Sequence, residues 1–350
     1  MSAPPPRGPE GICGLVPELA AFRALAAGGR LVPVQRRVFV DELTPLGALR
    51  RVDDGRYAFL LESLGGDERW GRYSLLGSRP ALVFVARGAR CEIRAGGEVR
   101  ACAGRPADEL RALLARHRAV TLPGLPACCG AAVGYLGGGI AGWFGPAGPP
   151  RGEGPALPDV VLMFGNVVSV FDHAAQTFHV VTHARGGDDP ERAYAAAADR
   201  LEAELERLRA PMAQPAHRPP VATSVTEAPA EEFIAGAGRA RDLVRSGELL
   251  RATVALRAEA VVAQPALETY RALRAACPSS GLFLLRMGET ALAGSAPGPL
   301  LRRSGDLLEA RPLSGARPRG RDAEEDDRLA EALSRDETER AAHALLVDLA

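Results

Sequence analysis

The sequence of 350 residues contains no lysine, so arginine supplies all 43 of its permanently cationic side chains. This absence excludes a Schiff-base lysine, a pyridoxal-phosphate anchor and the lysine of a phosphate-binding loop. Long apolar stretches are also missing. No run approaches the roughly 18 residues that a membrane helix needs, and the chain begins without the apolar segment of a signal peptide. We therefore predict a cytoplasmic protein without a membrane partner.

Cysteine content and net charge also exclude classes of protein. The six cysteines contain no Cys-x-x-Cys pair and have no regular spacing, so we expect reduced, mostly buried thiols. The 43 acidic residues balance the 43 basic ones, which gives no reason to expect a nucleic-acid partner. With 47% hydrophobic and 25% charged residues, the composition is that of a globular protein with a sizeable core.

The pattern along the chain predicts an α+β fold. Strand-like segments come in pairs, such as Val160–Val170 with Thr177–Thr182, and these pairs alternate with helices such as Pro190–Leu208. A long charged helix is predicted over residues 322–349. Because hairpins rather than single strands separate the helices, we expect antiparallel sheets and not a doubly wound parallel sheet.

Residues 137–142 read Gly-Gly-Gly-Ile-Ala-Gly and satisfy the Gly-x-Gly-x-x-Gly pattern of dinucleotide-binding loops. That pattern binds a pyrophosphate only where a helix follows and points its N-terminus at the ligand. The next residues here are Trp-Phe-Gly-Pro-Ala-Gly-Pro-Pro, in which the prolines prevent a helix. The sequence therefore does not predict a dinucleotide site.

Several short blocks over roughly residues 30–350 match one known family. They are Phe59–Ser63, Gly71–Gly77, Leu157–Asp159, Val170–His173, Tyr270–Arg274, Arg311–Gly320 and His343–Leu349. In content and order they resemble the chorismate-utilising enzymes, and most closely the large subunits (component I) of anthranilate synthases. The resemblance implies antiparallel β-sheets packed together and wrapped by helices. It also implies a reaction of tryptophan biosynthesis, in which chorismate and ammonia or glutamine give anthranilate and pyruvate with Mg²⁺ as cofactor.

On this resemblance the chain divides into four parts. Residues 1–30 form an N-terminal segment, disordered over residues 1–12 and then a short helix, and residues 31–210 form the family's regulatory region. Residues 211–229 hold five prolines and form a connector, and residues 230–350 form part of the catalytic domain. The implied partners are chorismate, a glutamine amidotransferase subunit (component II) and tryptophan as a feedback effector.

The resemblance implies substrate binding at Gly315 and Ala316, where the family has Gly-Thr in a basic loop. Glycine allows close backbone approach, and the four arginines between residues 311 and 321 suit the two carboxylates of chorismate. Because Ala316 lacks the threonine hydroxyl, one hydrogen bond to a charged substrate is lost, worth roughly 1.5–3 kcal/mol. On composition alone, the loop would be interpreted as a solvated basic turn.

The family's tryptophan effector site falls on Leu61, Glu62 and Ser63. A serine at the end of a strand can hydrogen-bond an amino-acid head group, and Arg72 can meet its carboxylate. Without the resemblance, the same residues would be interpreted as a strand followed by a solvated turn. Gly281 stands where the family has tyrosine, so an aromatic wall for an indole ring is missing and we predict weak or absent tryptophan binding.

The resemblance implies Mg²⁺, yet the sequence offers no ligand set for this ion. Ala342 stands where the family has a metal-binding glutamate, and Gly298 replaces another family carboxylate. Glu339 lies about one turn before Ala342 and could substitute only with a shifted register. The family's acid/base histidine belongs to a segment beyond residue 350, so no catalytic residue is predicted here and we expect an incomplete catalytic half.

These features leave three functional hypotheses. The first is a component I-like protein whose family activity is impaired or lost. The second is a non-catalytic module that binds a glutaminase subunit or a small aromatic ligand. The third is a divergent subunit whose other half lies on a separate polypeptide.

Overall fold

A computed structural model describes residues 14–39, 42–64, 72–125, 132–145, 157–211, 220–227, 229–279, 281–296 and 300–350. The disorder predicted for residues 1–12 and the substitution at Gly298 lie outside the described residues.

Some helices begin at a residue whose side chain caps them. Thr44 and Asp189 cap the second and fourth helices with side-chain oxygens, and proline follows each cap at the first helical position. No helix in the described ranges has both the length and the apolarity needed to cross a membrane. The helices are α1 (Leu19–Ala26), α2 (Pro45–Val52), α3 (Pro106–Arg116), α4 (Pro190–Arg209), α5 (Ala230–Arg245), α6 (Ala266–Ala276), α7 (Ala323–Arg335) and α8 (Glu337–Leu349).

The strands pair in antiparallel fashion throughout. They are β1 (Leu31–Val38), β2 (Tyr57–Glu62), β3 (Tyr73–Ser78), β4 (Leu82–Arg87), β5 (Arg90–Ala95), β6 (Glu98–Ala101), β7 (Ala132–Leu136), β8 (Val160–Phe164), β9 (Val167–Asp172), β10 (Thr177–Arg185), β11 (Ala222–Glu227), β12 (Ala258–Val262), β13 (Leu282–Met287), β14 (Thr290–Ser295), β15 (Leu301–Ser304) and β16 (Leu307–Ala310). A seven-stranded sheet has the order β1-β10-β9-β3-β2-β13-β14, and a five-stranded sheet has the order β6-β5-β4-β8-β7. Two-stranded ribbons join β11 with β12 and β15 with β16.

The two large sheets pack face to face, and helices cover their outer faces. Because side chains alternate along a strand, Leu60 packs with α1, α2 and α4, while its neighbour Phe59 packs between the sheets. Leu113 of α3 covers the outer face of the five-stranded sheet. The layers are therefore helices, sheet, sheet and helix, which confirms the predicted α+β class of antiparallel sheets wrapped by helices.

One predicted strand is in fact two strands in different sheets. The apolar segment Val160–Val170 divides at Gly165 and Asn166 into β8 of the five-stranded sheet and β9 of the seven-stranded sheet. An apolar run does not reveal such a division, because strands buried on both faces are apolar whichever sheet they join. The predicted hairpin to Thr177–Thr182 is confirmed for β9 and β10.

One further prediction, about a helix, is wrong. Residues 322–349 do not form one helix, because Asp336 ends α7 and caps α8 by accepting the N–H groups of Thr338 and Glu339. Within the proline-rich connector, β11 forms and pairs with β12.

Candidate functional site

A cavity of about 400 Å³ lies between the two large sheets. Its walls come from β2, β3, β13 and β14 on one side and from β7 on the other. The three predicted effector residues, Leu61, Glu62 and Ser63, line this cavity together with Gly281. The structure thus brings both halves of the predicted effector site to one place.

Strand pairing explains how these distant segments meet. β2 and β13 are neighbours in antiparallel register, with Glu62 opposite Leu282. Just beyond the two strands, the Leu64 N–H donates to the Ser279 carbonyl at 2.9 Å. The cavity therefore forms only after the second half of the chain has joined the sheet.

Glu62 anchors helix α6 at the edge of the cavity. Its side chain is 0% exposed, and its carboxylate accepts hydrogen bonds from the Arg274 guanidinium at 2.7 and 3.0 Å. The Tyr270 hydroxyl donates to the same carboxylate at 2.9 Å. Burial and the nearby carboxylate raise the pKa of Tyr270, and the hydrogen bond to Glu62 raises the pKa of Arg274. The carboxylate is therefore committed to α6 rather than free for a ligand's ammonium group.

Ser63 is held in place by strand β3. Its N–H donates to Oγ of Ser74 at 3.3 Å, and this oxygen lies 2.7 Å from Nε2 of His173. Since Ser74 accepts from Ser63, its own hydroxyl hydrogen can be donated to His173. This series of hydrogen bonds fixes the strand end that brings Ser63 to the cavity.

Arg72, predicted to meet the carboxylate of an amino-acid ligand, binds a carboxylate of the chain itself. Its Nε and Nη2 atoms lie 2.9 and 2.7 Å from the two carboxylate oxygens of Asp172. Burial alone would raise the pKa of Asp172, but Arg72 and the N–H groups of Ala174 and Ala175 lower this pKa below its usual value. Arg72 therefore fastens the start of β3 to the end of β9.

Gly281 has no room for the aromatic ring that the family has at this position. A Cβ atom at Gly281 would lie 2.6 Å from the carbonyl oxygen of Ala296. Gly281 places no aromatic ring on this side of the cavity, whereas Tyr73, Tyr135 and Phe283 line other sides. The cavity therefore retains aromatic surface. The residue at position 281 alone did not predict this.

The arginines of the basic loop over residues 311–321 are paired with carboxylates of the same chain. Arg311 binds Glu309, Arg317 binds Asp336 and Glu339, Arg319 binds Asp326, and Arg321 binds Glu325. All of these pairs except the first join the loop to α7 and α8. Each guanidinium group already has a carboxylate partner. The carboxylates of chorismate would therefore have to compete with these partners for the arginines.

Gly315 and Ala316, the predicted substrate contacts, lie where the loop crosses α7 and α8. Gly315 has φ +80°, a conformation that side chains disfavour. A Cβ atom at Gly315 would also lie 3.0 Å from Leu333 and 3.1 Å from the Glu339 carboxylate. Packing on the helices therefore requires glycine whether or not a ligand binds. Ala316 is exposed, and its carbonyl accepts a hydrogen bond from Arg317 at 3.0 Å.

The described residues do not fit the Mg²⁺ that the resemblance implies. Ala342 is exposed on α8 and has no metal-binding atom, and Arg317 engages Glu339 at 3.3 Å. Within the described part of the chain, no group of three or more His, Cys, Asp or Glu side chains could hold a metal. Since Mg²⁺ takes oxygen ligands, including one or two carboxylates, these residues lack the donor set it needs.

The glycine-rich segment after β7 serves packing. It forms a 3₁₀ helix over Gly138–Trp143, and a Cβ atom at Gly139 would overlap the carboxylate of Asp159. The same carboxylate accepts the N–H of Gly88 at 2.6 Å. Gly139 thus makes room for the carboxylate of Asp159.

The sequence is similar to those of known proteins. Residues 58–350 match the family model described as chorismate binding enzyme. Anthranilate synthase component 1 of Acetivibrio thermocellus is 30% identical over 345 residues, which cover 95% of this chain and 69% of that protein. The protein of the same name from Acinetobacter calcoaceticus is 33% identical over 350 residues, with the same coverage of both chains.

A solved structure is similar as well. The crystal structure of anthranilate synthase component I from Streptococcus pneumoniae TIGR4 superposes with a TM-score of 0.67 at 26% identity. The match covers 89% of this chain and 66% of that one. The chain therefore spans about two thirds of the length of the relatives it matches.

Proposed function

The chain belongs to the family of chorismate binding enzymes, and we propose that it is an anthranilate synthase component I-like protein that binds chorismate without converting it to anthranilate. The family reaction adds ammonia to the chorismate ring and eliminates pyruvate. The proposal separates binding from turnover, because the residues that support the two functions differ.

Position 342 is the observation that supports the loss of turnover. The resemblance implies a metal-binding glutamate at this point of α8, and Ala342 supplies no oxygen ligand. Glu339 would have to leave Arg317 to replace it, which would remove one of the two carboxylates that hold the loop on α8. Neither Ala342 nor Glu339 therefore offers a carboxylate that is ready for a divalent cation.

The backbone of the basic loop supports chorismate binding. Gly315 is fixed against Leu333 and Glu339, and the ion pairs of Arg317 hold the next turn of the loop. Backbone groups in such a loop can meet a carboxylate whatever side chain stands at position 316. Because Ala316 has no hydroxyl, we expect binding about 10- to 100-fold weaker than with threonine at this position.

The cavity between the sheets supports a second binding function, for a small aromatic ligand. Its volume of about 400 Å³ and its aromatic side chains, Tyr73, Tyr135 and Phe283, suit such a molecule. Tryptophan is the effector that the resemblance implies. Its binding is expected to be weak because Gly281 supplies no ring and Arg72 is paired with Asp172. A glutamine amidotransferase subunit is a further proposed partner, since the relatives are named as component 1.

An anthranilate assay combined with calorimetry tests the proposal. The purified chain is mixed with chorismate, Mg²⁺ and ammonia, and anthranilate is followed by its fluorescence. We expect no anthranilate above the rate of chorismate alone, and saturable heat on titration with chorismate. Anthranilate formation at a rate proportional to protein concentration would contradict the loss of turnover. A titration of the folded chain with chorismate that releases no heat would contradict binding.

A matched pair of variants tests the role assigned to position 342. Ala342→Glu places a carboxylate where the resemblance implies one, and Ala341→Glu adds the same charge one residue earlier on exposed α8. We expect calorimetry to show tighter Mg²⁺ binding to the first variant than to the second. Equal binding would mean that the residue at 342 is not the missing ligand.

A further inference from the structure

Two cysteines that are distant from any sequence motif lie opposite each other in the fold. β5 and β6 pair with Glu92 opposite Ala101, so the next cross-strand pair is Cys91 with Cys102. The Cys102 N–H donates to the Cys91 carbonyl at 2.9 Å. Directly opposed residues of an antiparallel pair have Cα atoms about 4.5–5.5 Å apart, which is within the range that a disulfide spans.

The thiols of Cys91 and Cys102 are neighbours as well. Burial, together with a hydrogen bond between the Cys91 thiol and the Cys102 sulfur, raises the pKa of Cys91 to about 12. Cys91 is buried between the five-stranded sheet and α3, whereas Cys102 is half-buried at the end of β6. The pair therefore consists of one accessible thiol and one protected thiol in direct contact.

The segment after Cys102 is held by helix α3. The Gly104 N–H donates to the Glu109 carboxylate at 3.0 Å, just after the point where β6 ends. With one hydrogen bond to β5 and another to α3, the backbone on both sides of Cys102 is fixed. Cys102 is thus held opposite Cys91.

We propose that Cys91 and Cys102 form a reversible disulfide, a modification site at the edge of the five-stranded sheet. With hydrogen peroxide as the oxidant, the Cys102 sulfur attacks one peroxide oxygen, which gives a sulfenic acid and one water. The Cys91 sulfur then attacks the Cys102 sulfur and displaces a second water as the disulfide bond forms. Two electrons pass to the peroxide, both thiol protons end in water, and a thiol reductant reverses the change.

The disulfide restrains an edge strand. β6 is the outermost strand of its sheet, and all four of its residues are exposed. A bond between Cys91 and Cys102 closes the β5–β6 hairpin covalently. It lowers the conformational entropy of the unfolded chain between the two cysteines. The oxidised protein should therefore unfold at a higher temperature than the reduced protein.

Peptide mapping tests the proposed bond. Trypsin cleaves after Arg94 and Arg100, and it leaves Cys91 in residues 91–94 and Cys102 in residues 101–111. The whole folded chain is treated with hydrogen peroxide, its remaining thiols are alkylated, and it is digested without reductant. We expect these two peptides to be linked, with a mass about 2 Da below the sum of the free peptides, and to separate on reduction.

Two variants make the result specific. Cys102→Ser should abolish the linked peptides and the rise in unfolding temperature, and Cys277→Ser should retain both. Recovery of Cys102 as a sulfinic acid or an alkylated thiol, or its linkage to another cysteine, would overturn the proposal. A linked pair without any change in unfolding temperature would overturn the restraint assigned to β6.

Discussion

Glu62 is a charged side chain with no exposed surface, and it depends on a cation and a hydroxyl group from α6. Loss of one partner of such a pair is costly, because the remaining group stays away from water without compensation. The sequence blocks Phe59–Ser63 and Tyr270–Arg274 each match the family, but nothing in either block shows that they touch. That contact follows from the pairing of β2 with β13, and sheet register cannot be obtained from short motifs.

The Glu62 ion pair predicts a measurable loss of stability. We expect Glu62→Gln, which keeps the volume and removes the charge, to lower the free energy of unfolding by about 1–3 kcal/mol in urea titrations. The loss should lie towards the lower end of this range, because the Arg274 side chain is 33% exposed and water can partly compensate it. Glu309→Gln breaks the exposed pair with Arg311 and should cost less than about 0.5 kcal/mol. Equal losses in the two variants would show that burial does not strengthen the Glu62 pair.

His183 predicts how stability depends on pH. Burial and the charges of His117 and Arg200 lower the pKa of His183 to about 4. Since the unfolded histidine has the higher pKa, the unfolded chain takes up a proton first as pH falls. The contribution of the neutral His183 is therefore complete above about pH 6.5 and is lost between about pH 6.5 and pH 4.

Urea titrations of the wild type and His183→Gln measure this contribution. We expect the wild type to lose about 2 kcal/mol more than the variant between pH 7.5 and pH 5. Comparison of the two proteins removes the effect of carboxylates that titrate in the same range. Parallel pH profiles would contradict the assignment to His183.

At the scale of elements, the break at Asp336 decides how the C-terminal helices are arranged. Its carboxylate caps α8 and also binds Arg317, so the same residue ends one helix, starts the next and holds the basic loop. The signal was present in the sequence, because Asp336 and Glu339 have the spacing of a capping box. The charged helical pattern on both sides concealed it. The equivalent signal at Asp322 follows a segment without regular structure and correctly marked the start of α7.

Removal of the two caps should have unequal effects on hydrogen exchange. Asp322→Ala loses one cap, and we expect about a fivefold faster exchange of α7 amides. Asp336→Ala loses a cap and an ion pair, and the α8 amides should exchange about 5- to 30-fold faster. If α8 exchanged at the wild-type rate in Asp336→Ala, neither contact would stabilise the helix.

At the scale of the whole molecule, burial is distributed unevenly along the chain. The three hydrophobic clusters draw on residues up to 208 and on α6 and β13. Among the described residues, none from 221 to 262 or from 300 to 350 is buried, and apolar side chains such as Ile234, Leu250 and Val261 are exposed. Composition could not predict this, because a hydrophobic content of 47% does not specify where apolar side chains find partners.

This distribution predicts two levels of local stability. We expect amides of α5 and α8 to exchange at least about 100-fold faster than those of β9 and β10, because few buried contacts oppose opening of these helices. Hydrogen exchange with mass spectrometry, repeated at several protein concentrations, measures the ratio. Protection of α5 equal to that of β10 at the lowest concentration would contradict the prediction.

The position of β13 also matters during synthesis. β2 pairs with β3 on one side, and its other edge receives β13 about 220 residues later in the chain. At ribosomal rates of roughly 5–20 residues per second, that edge waits about 10–45 s for its partner. In the later part of this interval, after β10 has been made, β2 is an open edge on the sheet that β1, β10, β9 and β3 form, and such edges recruit strands from other chains. We therefore expect this protein to need a chaperone most while the ribosome is still making the residues before β13.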